Sequence, residues 1–199
     1  SRGLGDVYKR QLFNRKHFDQ ALTDYKQLKA KATTAERRQL AATGMLRSAA
    51  MMQDDVETIA AATDMLAEAK LTPELRNEAL YFRAKAYLNQ QADKKAMNDL
   101  QALAKDTRTL YGAEAKYLVS LQLYKAHEYA AAEKEILNFI EQSTPHAYWL
   151  ARSFILLSDV YVAMDKKLDA RQYLLSLQQN YHADDDIEQM INERLEKLK

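Results

Sequence analysis

Five small or β-branched residues, Ala21, Ile59, Ala96, Ala132 and Ala170, recur 38, 37, 36 and 38 residues apart. Each is followed at four and seven positions on by a pair of mostly larger residues. The pairs are Tyr25 and Leu28, Thr63 and Leu66, Leu100 and Leu103, Ile136 and Phe139, and Leu174 and Leu177. A fixed period of this length means that one supersecondary unit is reused, because a lone unit cannot bury its own apolar face. Steps of four and seven set the members of each group on one side of a helix. A second helical pattern precedes each of the last four groups: Leu40, Gly44 and Arg47; Leu80, Ala84 and Tyr87; Val119, Ser120 and Leu123; Phe154, Leu157, Ser158 and Tyr161. The unit is therefore a pair of antiparallel helices. Small residues at Gly44, Ala84, Ser120 and Ser158, facing Ala96, Ala132 and Ala170, let paired backbones approach closely.

The expected fold class is all-α. Only four Gly and two Pro interrupt 199 residues, which leaves few helix breakers. Thr33 with Glu36 reads as a capping box. Thr72-Pro73 and Thr144-Pro145 read as N-caps followed by Pro at the first helical position. Gly112 is expected to break the chain after Tyr111. The domain expectation has three parts. Residues 1–11 (SRGLGDVYKRQ) read as translated adapter sequence, a non-native or disordered leader. Residues 12–183 hold about four and a half repeats, with Leu12 and Phe13 as the tail of a helix cut short. Residues 184–199 form a closing helix with Ile187, Met190, Ile191, Leu195 and Leu198 on one side.

Several functional classes find no support in the letters. Lys and Arg number 29 against 28 Asp and Glu, without the basic excess of a duplex-binding surface, so no nucleic acid is expected. The absence of Cys removes disulfides, thiolate metal sites and cysteine nucleophiles. No apolar run approaches the roughly 20 residues of a transmembrane helix. No P-loop, G-x-S-x-G or H-E-x-x-H occurs, so no enzyme, cofactor or metal is expected. Asp184, Asp185 and Asp186 are consecutive and lack a turn Gly, which suits a helix N-terminus better than a calcium loop. The twelve Tyr and Trp149 are read mainly as core, with Trp149 against the preceding repeat.

The repeats resemble the tetratricopeptide repeat. The best match runs from Phe154 to Leu177, through Leu157, Ser158, Tyr161, Ala170 and Leu174, and the pattern covers about residues 12–180. The stretch from Tyr129 to Tyr161 is similar to bacterial cell-envelope members, the Tol-Pal coordinator and outer-membrane assembly lipoproteins. That likeness favours a periplasmic or envelope-associated setting over the cytoplasm. It implies a right-handed α-α superhelix whose first helices line a concave surface for an extended peptide or a partner helix. The positions here that match that groove are Arg38, Met45, Tyr81, Lys85, Tyr117, Leu121, Tyr124, Arg152, Ile155 and Asp159. The Lys-Asn-Arg clamp that some members use for a terminal carboxylate is not expected, because the corresponding places carry Lys85, Leu121 and Asp159. The reading is an interaction scaffold that binds another protein, with self-association also open. The alternative is the C-terminal repeat portion of a larger protein whose activity lies upstream.

Overall fold

The computed structural model describes residues 2–199, without the side chains of Arg2 and Phe13, so the expectation placed on Phe13 lies outside the described residues. Among the described residues the chain is all-helical, with ten helices and no strand. They are α1 (Arg2–Lys31), α2 (Ala35–Met51), α3 (Asp55–Leu66), α4 (Pro73–Asn89) and α5 (Asp93–Leu103). The rest are α6 (Leu110–Lys125), α7 (Tyr129–Glu141), α8 (Ala147–Ala163), α9 (Lys167–Asn180) and α10 (Ile187–Lys197). Two compact units divide between Asp99 and Leu100. In the first, α1 packs on α2, α2 on α3 and α3 on α4. In the second, α6 packs on α7, α7 on α8, α8 on α9 and α9 on α10.

The period found in the sequence returns in the backbone. Gln53, Gln91, His127 and Asp165 have φ of 57°, 59°, 60° and 60°, and they stand 38, 36 and 38 residues apart. Each ends the first helix of a hairpin, and the next amide reaches back five residues. Asp54 N donates to Ala49 O (3.1 Å), Ala92 N to Tyr87 O (2.9 Å), Glu128 N to Leu123 O (2.9 Å) and Lys166 N to Tyr161 O (2.7 Å). This left-handed C-terminal turn satisfies carbonyls that the helix leaves open. None of the four is glycine, and Gln is at less ease in this region than Asp or His. Gln91→Gly is therefore expected to stabilise the protein by about 0.5–1 kcal/mol after the added flexibility of the unfolded chain is subtracted. A rise in the urea midpoint at unchanged slope would show it; a fall would mean that the Gln91 side chain contributes contacts that outweigh the relieved strain.

The core follows the predicted register in the later repeats and departs from it in the earlier ones. Ala96, Leu100 and Leu103, then Ala132, Ile136 and Phe139, then Ala170, Leu174 and Leu177 are all buried. In α1, by contrast, Leu22 is the buried residue and Leu28 is 57% exposed. In α3 the buried face is Thr58, Ala61, Ala62 and Met65, one residue off the expected Ile59, Thr63 and Leu66. In α2 the expected Leu40 is 71% exposed, and Met45, Leu46 and Ala49 are buried instead. The reason is composition: α2 and α3 are rich in Ala, so more than one face of each is apolar, and packing on neighbouring helices selects among them. The closing helix keeps its register. Ile187 and Ile191 join Ala151, Ile155, Leu174 and Leu177 in one cluster, with Met190, Leu195 and Leu198 packed against it.

Four boundaries differ in detail. The first cap is Thr34, which accepts from Arg37 N at 3.2 Å, not Thr33. Helix α8 begins after His146, and the Thr144 hydroxyl, which donates to Thr107 O at 2.7 Å, accepts from His146 N at 3.2 Å outside the helix. Gly112 lies inside the first turn of α6, where Thr109 caps it at 2.9 Å. Its lack of a side chain is needed there, since a methyl would run into the Asp106 carbonyl oxygen. Residues of the expected leader from Arg2 on belong to α1, with Leu4, Val7 and Tyr8 exposed. The Thr72 cap and Pro73 fall where predicted, with Thr72 Oγ1 accepting from Leu75 N.

Candidate functional site

The ten predicted groove residues stand on the first helices of the hairpins, α2, α4, α6 and α8. They do not share one environment. Met45 belongs to a core cluster with Leu22, Leu46 and Met65, and Ile155 to the cluster around Ile187. Both side chains are covered within the fold and present little to a partner. Tyr117 is buried as well, against Trp149, with ring centroids 5.5 Å apart. The expected packing of Trp149 on the preceding repeat is thus found, and Tyr117 is what it meets.

In the first unit, Arg38 is exposed. Tyr81 and Lys85, one turn apart on α4, share a face, with Lys85 Nζ 5.8 Å from the Tyr81 ring centre.

In the second unit the predicted residues are drawn into two polar clusters. Arg152 donates to the hydroxyls of Tyr117 (3.0 Å) and Tyr148 (2.9 Å), and Tyr148 OH donates to Asp186 at 2.9 Å. The guanidinium also lies 5.0 Å from the Tyr117 ring centre. Burial raises the Tyr148 pKa and outweighs the nearby cation, so the hydroxyl stays neutral and able to donate. The second cluster joins α8 to α10. Arg194 grips Asp159 with two bonds, 2.8 and 3.0 Å, and also donates to Met190 O. Such a planar two-point pair is the strong form of a charged hydrogen bond. Burial works against the Arg194 charge, and the Asp159 bonds more than restore it, so its pKa is raised. Tyr124 stands beside this pair. Desolvation first, and then the Asp159 charge, raise its pKa. Leu121 is half-buried on the same helix.

The carboxylate of Asp159 and the guanidinium of Arg152 are thus engaged within the chain. Tyr148 and Arg194, which the sequence did not single out, and Asp186, read there only as part of a helix N-terminus, complete these clusters. A signal for them exists. Arg152–Tyr117 and Arg194–Asp159 both join residues 35 apart, and Tyr148–Asp186 joins residues 38 apart. Each is close to one repeat length, so these partners are found by stepping a whole repeat, whereas Arg152 and Tyr148 are one helical turn apart.

Among the described residues, no group of three or more His, Asp or Glu side chains is placed to hold a metal ion. No helix among them is long and apolar enough to cross a membrane. Comparison with protein-family models and with curated proteins returns no match.

Proposed function

We propose that the chain is an interaction scaffold of the tetratricopeptide type, whose first helices present a groove to a peptide segment or helix of another protein, in a bacterial envelope assembly. The observation that carries the proposal is how neighbouring hairpins meet. First helices pack on first helices one repeat on: α2 on α4 in one unit, and α6 on α8 and α8 on α10 in the other. Within the second unit, the second helices α7 and α9 make no comparable approach among the described residues. Helices that close up on one side and spread on the other support curvature with the first helices inside, as a solenoid requires. The recurring left-handed turns at Gln53, Gln91, His127 and Asp165 support the repeat from the backbone.

A groove of this kind binds through pre-ordered side chains, so little conformational freedom is lost when a partner docks. On the second unit, Leu121 and Tyr124 are the predicted positions that stay half-exposed and make no ion pair. Aromatic and aliphatic anchors of this sort dominate interface energies. The test is capture of partners from envelope and cytosolic fractions with the whole chain as bait, beside a Leu121→Ala/Tyr124→Ala variant of equal helicity. A partner held by the native chain and lost with the variant is the expected result, and its compartment assigns the setting. Equal capture by both would remove the first-helix groove of this unit as the working surface. Tyr117 is unsuited to this test, because truncating it would disturb the packing of Trp149.

A further inference from the structure

Between α6, α8, α9 and the end of α10 lies a cleft of about 510 Å³. Three features give it a chemical character. Its apolar lining comes from Val162, which is 40% exposed, with Tyr124 and Leu198 beside it. Its charges are unequal. Lys167, Arg194 and Lys197 face Asp159 and Glu193, and the Arg194–Asp159 pair cancels itself. Glu193 accepts from Gln189 at 3.1 Å but keeps its charge, so the lining carries a net charge of +1, three cations against two carboxylates. That leaves the two lysines, exposed and on different helices, as the cations a ligand would meet. The third feature is Ser158. It lines the cleft, is 1% exposed, and its hydroxyl has no hydrogen-bond partner among the described residues. Ser120 and Ser153, also buried and mid-helix, each donate to the carbonyl four residues back. Ser158 does not, and a buried polar group left open is costly unless something completes it.

We propose that this cleft binds an acidic peptide segment, an internal run in which Asp or Glu side chains alternate with aliphatic ones. A carboxylate sits between Lys167 and Lys197, the aliphatic neighbour rests on Val162 and Leu198, and Ser158 completes the polar floor. The inference rests on the scaffold reading and gives its partner a chemistry. Opposite charge across the contact sets orientation and association rate, and the apolar wall supplies residence.

The experiment pans a random octapeptide library displayed on phage against the whole chain and against a Lys167→Glu/Lys197→Glu variant. The expected result is enrichment of peptides that place Asp or Glu beside Leu, Ile or Val, bound about tenfold or more weakly by the variant. Enrichment without acidic bias, or equal binding by the variant, would overturn the acidic cleft and leave the scaffold reading standing. No enrichment at all would count against both. Ser158→Ala removes a hydroxyl that the unliganded fold does not use. It is expected to leave the melting temperature at or above the native value while weakening the acidic peptides about three- to tenfold, the worth of one hydrogen bond. Unchanged affinity would overturn the assignment of the floor.

Discussion

Phe139→Ala is expected to remove about 3–5 kcal/mol of stability, whereas Leu28→Ala is expected to change it by less than about 0.5 kcal/mol. The two residues hold the same place in the repeat, seven positions after Ala132 and Ala21 respectively. Their surroundings differ completely. Phe139 is 0% exposed near the end of α7, which packs on both α6 and α8. Leu28 is 57% exposed near the end of α1, where Leu22 carries the burial. Truncating Phe139 leaves a cavity the size of a ring in a region with little freedom to collapse. Set against a typical total of about 5–15 kcal/mol, that loss is severe. Trp149, the only tryptophan of the chain, lies on α8 in the same unit, so its fluorescence follows urea unfolding there directly. Circular dichroism serves for Leu28. A loss under about 1 kcal/mol at Phe139 would mean that α7 is not seated as described. A loss above about 2 kcal/mol at Leu28 would restore the register the sequence predicts for α1.

That contrast marks what could be read from the letters. A period of 36 to 38 residues survives into the structure as four left-handed turns, none of which has the Gly that usually signals one. From α5 onward the four- and seven-residue steps of each second helix coincide with its buried face, even in α9, where Leu168 and Leu175 are exposed on another side. In α2 and α3 the Ala-rich runs leave no unique apolar stripe, and the burial of Met45, Leu46 and Met65 is settled by three-dimensional packing. Caps fail for a similar reason. Thr33 and Thr34 are adjacent and chemically equal, while Thr144 is drawn to a carbonyl in a different loop. Among the groove candidates, the family resemblance assigns Tyr117, Arg152 and Asp159 to first helices of hairpins, and they stand on α6 and α8. That assignment gives no information on which of them the fold itself uses. That depends on Arg194 and Tyr148, a full repeat away from their partners.

Asp99→Ala is expected to cost about 3 kcal/mol, far more than the loss of any exposed ion pair in the chain. Asp99 sits on α5 three residues after the buried Ala96, on the face turned to the core, and is only 4% exposed. A carboxylate there must be paired, and Arg83 of α4 meets it with two bonds of 2.7 and 2.8 Å. A third bond from Arg83 to Thr63 of α3, at 3.1 Å, makes the guanidinium a tie between three helices of the first unit. The Asp99 hydrogen bonds raise the Arg83 pKa despite partial burial; a guanidinium is charged at neutral pH even without them, so the cation remains when its partner is removed. Removing Asp99 then strands a charge whose side chain is only 19% exposed. Glu57→Ala, which breaks the exposed Lys26–Glu57 pair at 2.8 Å, is expected to cost less than about 1 kcal/mol. The decisive comparison is the double replacement Arg83→Met/Asp99→Leu. Two apolar side chains of similar volume remove both charges, so most of the lost stability should return. Failure of the double variant to recover would mean that the stranded charge does not account for the cost of Asp99→Ala.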